Sequence, residues 1–212
     1  MNPADIRRNY STGTLERTDL DADPIKQFQN WFDRAVTERS SSEVNAMTLA
    51  TADKNGRPSS RTVLLKGVDE RGFIFYTNYD SRKGRELAEN PNAALTIYWP
   101  NSERQVCVAG TVSKISTHES ESYFKSRPRG SQLAAWASNQ SDSVADRTVL
   151  DKKWDEMDAK FPKDIPLPPN WGGYVLKPER IEFWQGRVNR LHDRFCYTRK
   201  PENSWKLERL SP

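Results

Sequence analysis

Two short β-branched runs, AMTLATAD from Ala46 and PSSRTVLLKGV from Pro58, flank the tetrapeptide Lys54-Asn55-Gly56-Arg57. Asn-Gly tolerates the positive φ angles of a tight hairpin, so the two runs are expected to pair as antiparallel strands. A second turn at Asp69 to Gly72 leads into FIFYTN, and ALTIYW and RQVCVAGTVSKIS pair across PNSER. Between these strand pairs, SRKGRELAEN reads as a short helix opened by Asp80 or Ser81. The first half of the chain is therefore a strand meander with helical interruptions.

The flanks carry a different period. Asp23 can cap a helix with Pro24 at its first position, placing Ile25, Phe28, Trp31, Phe32, Ala35 and Val36 on one face. Residues 117–160 read as three helical pieces: THESESYFKSRP, SQLAAWASNQ and a charged helix from about Ser143 to Phe161. FPKDIPLPPNW is a proline-rich, rigid connector. Closing strands follow as GGYVLKP, RIEFWQGR with RLHDRFCYTR, and SWKLERL. This order predicts a barrel-like α+β fold, mainly β with peripheral helices. Residues 1–22 show no periodicity and are expected as a mobile arm, leaving residues 23–212 as a single domain.

Mean hydropathy is −0.89, polar for a folded domain, but seven Trp, seven Tyr and eight Phe supply large apolar surfaces. The net charge of +4 is spread along the chain, which favours local anion pockets over a nucleic-acid surface. Cys107 and Cys196 stand far apart without a ligand pattern, and the chain holds two histidines, so reduced thiols are expected and no metal site. No apolar run approaches the roughly 20 residues a membrane helix needs, and the start lacks a signal-type apolar segment. A cytoplasmic protein is expected. GxGxxG, GxxxxGK[ST] and GxSxG are absent, which argues against the enzyme classes built on them.

Four stretches concentrate chemistry. In Tyr79-Asp80-Ser81-Arg82-Lys83 a helix N-terminus coincides with two cations, as an anion site would, although an ordinary solvated first turn looks the same. Arg61-Thr62-Val63-Leu64-Leu65-Lys66 has a cation at each end of an apolar strand. Those cations have opposite parity, so one ligand meets both only at a bulge, a twisted strand end, or across an edge or subunit boundary. Tyr123 and Arg127 share a helix face that Pro128 ends, with Ser131 just beyond, a set suited to a planar ring bearing phosphate or simply to helix-end packing. In RVNRLHDRFCYTR, Arg190, His192 and Arg194 would share one face of a strand, opposite Leu191, Asp193, Phe195 and Tyr197, and near Trp184.

Together these residues resemble the pyridoxine (pyridoxamine) 5'-phosphate oxidase family. The likeness is carried by RTVLLK, FYTN with SRK, ERQV, YFKSRPRGSQ, ASNQS, PLPPNWGGY, and IEFWQG with RLHDRF, and runs from RRNY to KLERLSP. It implies a split β-barrel binding flavin mononucleotide (FMN), a homodimer with FMN at the interface, and oxidation of pyridoxine and pyridoxamine 5'-phosphates by O2 to pyridoxal 5'-phosphate. By motif, Arg61, Thr62, Val63, Leu64, Leu65, Lys66, Tyr76, Thr77, Arg82, Lys83, Gln105, Gln140, Ser141, Trp184 and Arg194 would hold the cofactor. Lys66, Tyr123, Arg127 and Ser131 would hold the substrate phosphate, with Arg190 and His192 over the pyridine ring as catalytic groups and Leu191 also among the substrate-binding residues. Arg7 and Tyr10 would close over the substrate, making the arm a lid. The chain departs from the family pattern at Arg187 and Val188, where smaller or uncharged residues are frequent, and at Glu43.

Overall fold

The hairpin about Asn55-Gly56 forms as expected: β1 (Ala46–Ala52) and β2 (Pro58–Leu64) pair antiparallel, and Gly56 adopts φ +77°. β3 (Gly67–Asp69) and β4 (Gly72–Asn78) follow, then α2 (Arg82–Glu89), introduced after α1 (Pro24–Thr37), and the pair β5 (Asn92–Trp99) and β6 (Arg104–Lys114). The helices α3 (Thr117–Ser126), α4 (Arg129–Ala137) and α5 (Arg147–Lys160) precede β7 (Trp171–Gln185), β8 (Asp193–Arg199) and β9 (Trp205–Leu210). The computed structural model describes residues 1–6 and 8–212, and Arg7 lies outside the described residues. Among them, no helix is long and apolar enough to cross a membrane.

All pairings are antiparallel, in the order β2-β1-β5-β6-β7-β4-β3, with β8 and β9 added alongside β7. GGYVLKP and RIEFWQ, expected as separate strands, form the single strand β7. Its first half pairs with β4 and its second half with β8, while β6 follows it from Tyr174 to Gln185. Proline cannot donate to a ladder, and the register shift opposite Ala109 and Gly110 accommodates Pro178 without ending the strand. This change of partner along one strand splits and curls the sheet, as the split-barrel expectation requires.

The concave side holds the core. Trp99, Phe73, Phe75, Leu95, Val106, Phe183 and Tyr197 are fully or almost fully buried, each contributing about 1.5–3 kcal/mol of apolar burial. α1 covers them. Asp23 caps its Ile25 N–H, and Phe28, Trp31 and Ala35 are buried, while Val36, expected on that face, is exposed. α4 begins earlier than expected, at Arg129, because Pro128 also serves as its N-cap, and α5 begins later, at Arg147, capped by Asp146.

The second half of the arm is seated on this framework. Leu15 is 2% exposed within the core, and its N–H donates to the buried Asp193 carboxylate at 3.1 Å. Absence of periodicity hid these anchors, which are single side chains rather than a face.

Candidate active site

A cavity of about 840 Å³ opens between the end of β2, β4, the start of α2, and α3 with α4. Its lining brings together thirteen of the expected residues: Arg61, Thr62, Val63, Leu64, Lys66, Tyr76, Thr77, Arg82, Lys83, Tyr123, Arg127, Gln140 and Ser141. The opposite parity of Arg61 and Lys66 is resolved at the strand end. β2 stops at Leu64, so Lys66 is freed from the strand's alternation and faces the same space. Leu65, expected with them, instead points into the core and is 6% exposed.

The lining carries five basic side chains and, among the described residues, no carboxylate. Glu86 stands just behind it. Its carboxylate accepts from Ser59 at 2.6 Å, from Arg82 Nε at 2.8 Å and from Arg61 at 3.3 Å. Burial pushes this acid up, but the Ser59 and Thr51 hydroxyls and the two guanidiniums outweigh it and hold it at about 2. Sequence reasoning missed Glu86, although its position four residues after Arg82 on a helix is the signal of such a pair. A carboxyl depressed in the fold stabilises above its ordinary value near 4.5 and loses that contribution as pH falls toward 2. Between pH 4.5 and 2 the wild-type melting temperature should therefore fall more steeply than that of Glu86→Gln, a difference of about 2 kcal/mol by thermal melts; parallel curves would show that the carboxylate organises nothing.

Lys83 is 7% exposed, and among the described residues its ammonium meets only neutral oxygens: Thr77 at 3.2 Å, Ser81 at 3.3 Å and Gln140 at 3.0 Å. Burial, then the nearby Arg61, lowers it to about 8. Ser81 caps α2 and the Arg82 N–H donates to Ser141 Oγ at 3.1 Å, so helix end and cations converge as the pentapeptide suggested. On the opposite wall, Tyr76 and Tyr123 stack at 3.9 Å and Trp171 lies 5.5 Å from Tyr76, nearly parallel. Arg127 lies over Trp171 at 4.6 Å, and its Nη1 is buried without a hydrogen-bond partner among the described residues. Trp171, not singled out from the sequence, was present in PLPPNWGGY. A buried ammonium among neutral groups and an orphaned guanidinium nitrogen fit phosphate-bearing ligands, because only an anion would complete both.

The remaining expected residues lie outside this lining. Gln105, Trp184 and Arg194 are direct cross-strand neighbours on β6, β7 and β8, forming one row. Arg190 and His192 do not continue it. Residues 188–190 form a 3₁₀ turn with Asn189 at φ 57° and Arg190 at φ 61°, and β8 begins only at Asp193. The expected strand face is thus replaced by a loop, with Arg194 alone on the strand, bonded to Glu182 at 2.8 Å. Leu191, expected beside the substrate, is 69% exposed, and Ser131 sits in the first turn of α4, outside the cavity lining.

His192 nevertheless packs against Trp184 at 4.7 Å, and both meet Tyr10 at 5.6 Å. Its Nδ1 accepts the Arg187 N–H at 3.1 Å, which leaves the ring proton on Nε2. Burial, with Arg190 and Arg194 close by, lowers its pKa, so the ring is neutral at physiological pH and presents Nε2–H as a donor.

The chain matches the family model described as pyridoxamine 5'-phosphate oxidase over residues 34–161, and the pyridoxine 5'-phosphate oxidase C-terminal dimerisation region over residues 171–212. It is 55% identical over 210 residues to pyridoxine/pyridoxamine 5'-phosphate oxidase of Paraburkholderia phytofirmans, covering 99% of this chain and 98% of that one. Pyridoxine/pyridoxamine 5'-phosphate oxidase 1 of Ralstonia nicotianae is 55% identical over 209 residues, with the same coverage. Among solved structures, PhzG from Burkholderia lata, in complex with tetrahydrophenazine-1-carboxylic acid, superposes with a TM-score of 0.88 at 35% identity, covering 94% of this chain and 98% of that one. An FMN-binding protein from Nostoc punctiforme shares the fold, with a TM-score of 0.73 at 21% identity over 91% of this chain and 100% of that one.

Proposed function

Because this chain belongs to the pyridoxamine 5'-phosphate oxidase family, we propose that it oxidises pyridoxine 5'-phosphate and pyridoxamine 5'-phosphate with O2 to pyridoxal 5'-phosphate, releasing hydrogen peroxide and, from the amine, ammonia. The observation that carries this reading is the cavity itself: five cations and, among the described residues, no lining carboxylate, facing a stack of three aromatic rings. FMN, when bound, would supply the two-electron redox chemistry that couples oxidation of the substrate's 4'-carbon to reduction of O2.

The protein's part is position and charge. Arg61 to Lys66, Tyr76, Thr77, Arg82, Lys83, Gln140 and Ser141 would hold FMN, and Tyr123 and Arg127, with Lys66 and Ser131, the substrate phosphate. The row of Gln105, Trp184 and Arg194 stands apart from the cavity, and a homodimer would bring one subunit's row, with Arg190, Leu191 and His192, against the other's cavity. The match to a dimerisation region over residues 171–212 supports that arrangement. Residues 1–22, through Tyr10, would act as a lid that excludes water. The free thiols of Cys107 and Cys196 support a reducing, cytoplasmic setting.

His192 would then act as a hydrogen-bond donor through Nε2 rather than as a base at Nδ1, and Arg190 would orient the substrate and stabilise negative charge on the 4'-substituent, beside the reacting carbon. Arg190→Ala should lower turnover on the order of tenfold, the worth of one charge-assisted hydrogen bond, while flavin stays bound; unchanged turnover at saturating substrate would remove Arg190 from the chemistry. For the function as a whole, the purified protein should be yellow and release peroxide on adding pyridoxine 5'-phosphate. A flavin-loaded protein that releases none would refute it.

A further inference from the structure

The arm that carries Tyr10 is fastened by one buried acid. Glu103 lies in the turn before β6, its side chain 2% exposed, and its carboxylate Oε2 accepts the Ser11 N–H at 2.7 Å, the Thr12 N–H at 2.9 Å and the Thr12 hydroxyl at 2.9 Å. Arg8 reaches the other oxygen at 3.3 Å. The same residue's carbonyl accepts the Gly186 N–H at 2.8 Å and the Gln185 side-chain amide at 3.3 Å. Gly186 is the floor under Tyr10: a Cβ there would come within 2.8 Å of the tyrosine ring, so only glycine allows the ring to lie so close. Glu103 therefore grips the arm with its side chain and the surface beneath Tyr10 with its backbone. It does so from φ 54°, a left-handed conformation that a side-chain-bearing residue rarely adopts, where glycine or asparagine would be the ordinary occupant.

From this we propose that Glu103 is a positioning residue of the substrate site, pinning Ser11 and Thr12 so that Tyr10 is held over Gly186 against Trp184 and His192. The proposal rests on the reading above that Tyr10 and His192 face the substrate. Among the described residues the Glu103 carboxylate makes no hydrogen bond to either ring and acts through the arm. Its carboxylate stays charged through the working range, since the Thr12 and Ser11 donors and Arg8 outweigh the effect of burial. A second fastening, Leu15 on Asp193, lies further along and keeps the arm tethered if the first is lost.

If removing the carboxylate leaves the arm seated for about one-twentieth of the time, apparent affinity falls by that fraction while the closed complex turns over as before. On the flavin-loaded, full-length enzyme, Glu103→Ala should raise KM for pyridoxine 5'-phosphate about twentyfold with kcat within about threefold. It should also speed tryptic cleavage after Arg8. Glu103→Gln, whose amide oxygen can still accept from Ser11 and Thr12, should restore most of the affinity, and it carries the test if the alanine variant does not fold. Combined with Tyr10→Ala, Glu103→Ala should add less than about twofold, since both act through one ring.

A fall in kcat at unchanged KM, or full additivity with Tyr10→Ala, would overturn the proposal. So would a silent Glu103→Ala beside a Tyr10→Ala that does raise KM, and in that case the substrate reading of Tyr10 would survive. If Tyr10→Ala itself leaves KM unchanged, that reading falls and the positioning role falls with it.

Discussion

Arg127→Ala is expected to raise KM for pyridoxine 5'-phosphate by about 10² to 10³, while barely changing whatever oxidation of unphosphorylated pyridoxine the wild type supports. The guanidinium is half-buried over the Trp171 ring, burial lowers its pKa, and Nη1 has no partner among the described residues. An unpartnered buried donor costs the free protein stability, and an incoming phosphate oxygen recovers that cost and adds a charge-assisted bond. Deleting one member of such a buried pair typically costs ~3–5 kcal/mol, which sets the expected factor. Steady-state kinetics on the two substrates separate phosphate recognition from ring placement. An equal loss on both would mean that Arg127 supports the Tyr76, Tyr123 and Trp171 stack and has no phosphate to hold.

Lys83→Met should have effects of opposite sign with and without cofactor. In the cofactor-free protein the ammonium is buried among neutral oxygens and its pKa is lowered from 10.5 to about 8. Below pH 8 both folded and unfolded chains carry the charge and the fold bears the full desolvation cost. As pH rises from 8 to 10.5 the folded lysine is neutral while the unfolded one is still charged, so the cofactor-free wild type should gain stability across that window. Methionine fills similar volume without the charge, so the flavin-free variant should melt higher than wild type at pH 7 and show no such gain. FMN affinity should fall about a hundredfold, because the anion that would compensate the buried charge has lost its partner. Calorimetry of the flavin-free proteins and FMN titration by fluorescence quenching measure the two effects. Higher stability without loss of affinity would place the FMN phosphate away from Lys83.

Much of this arrangement was legible in local signals. Asn55-Gly56, Asp23-Pro24 and Ser81 announce a turn and two helix starts because each supplies a backbone conformation or a capping oxygen that the element needs wherever it occurs. The cations at Arg61, Lys66, Arg82, Lys83 and Arg127 were visible as residues with no local apolar role, and the motifs carrying the family resemblance grouped them. What local reading mistook was continuity. Pro178 looked like an end but sits beside a register shift inside a long strand, and Arg190, His192 and Arg194 looked like a strand row although two left-handed residues turn the chain there.

By itself, then, the sequence determined the elements, the inventory of charged and aromatic groups and the family, because turns, caps and periodicity depend on neighbours a few residues away. Only the tertiary structure decided which charges stand alone. Glu86 neutralises Arg61 and Arg82, while among the described residues Lys83 and Arg127 are left without an acid; Glu103 is taken up by the arm, and Asp193 by the arm together with Arg187 and Arg209. Those pairings join residues from 4 to 178 positions apart, and most of them exist only once the curled sheet has brought its edges and the arm together.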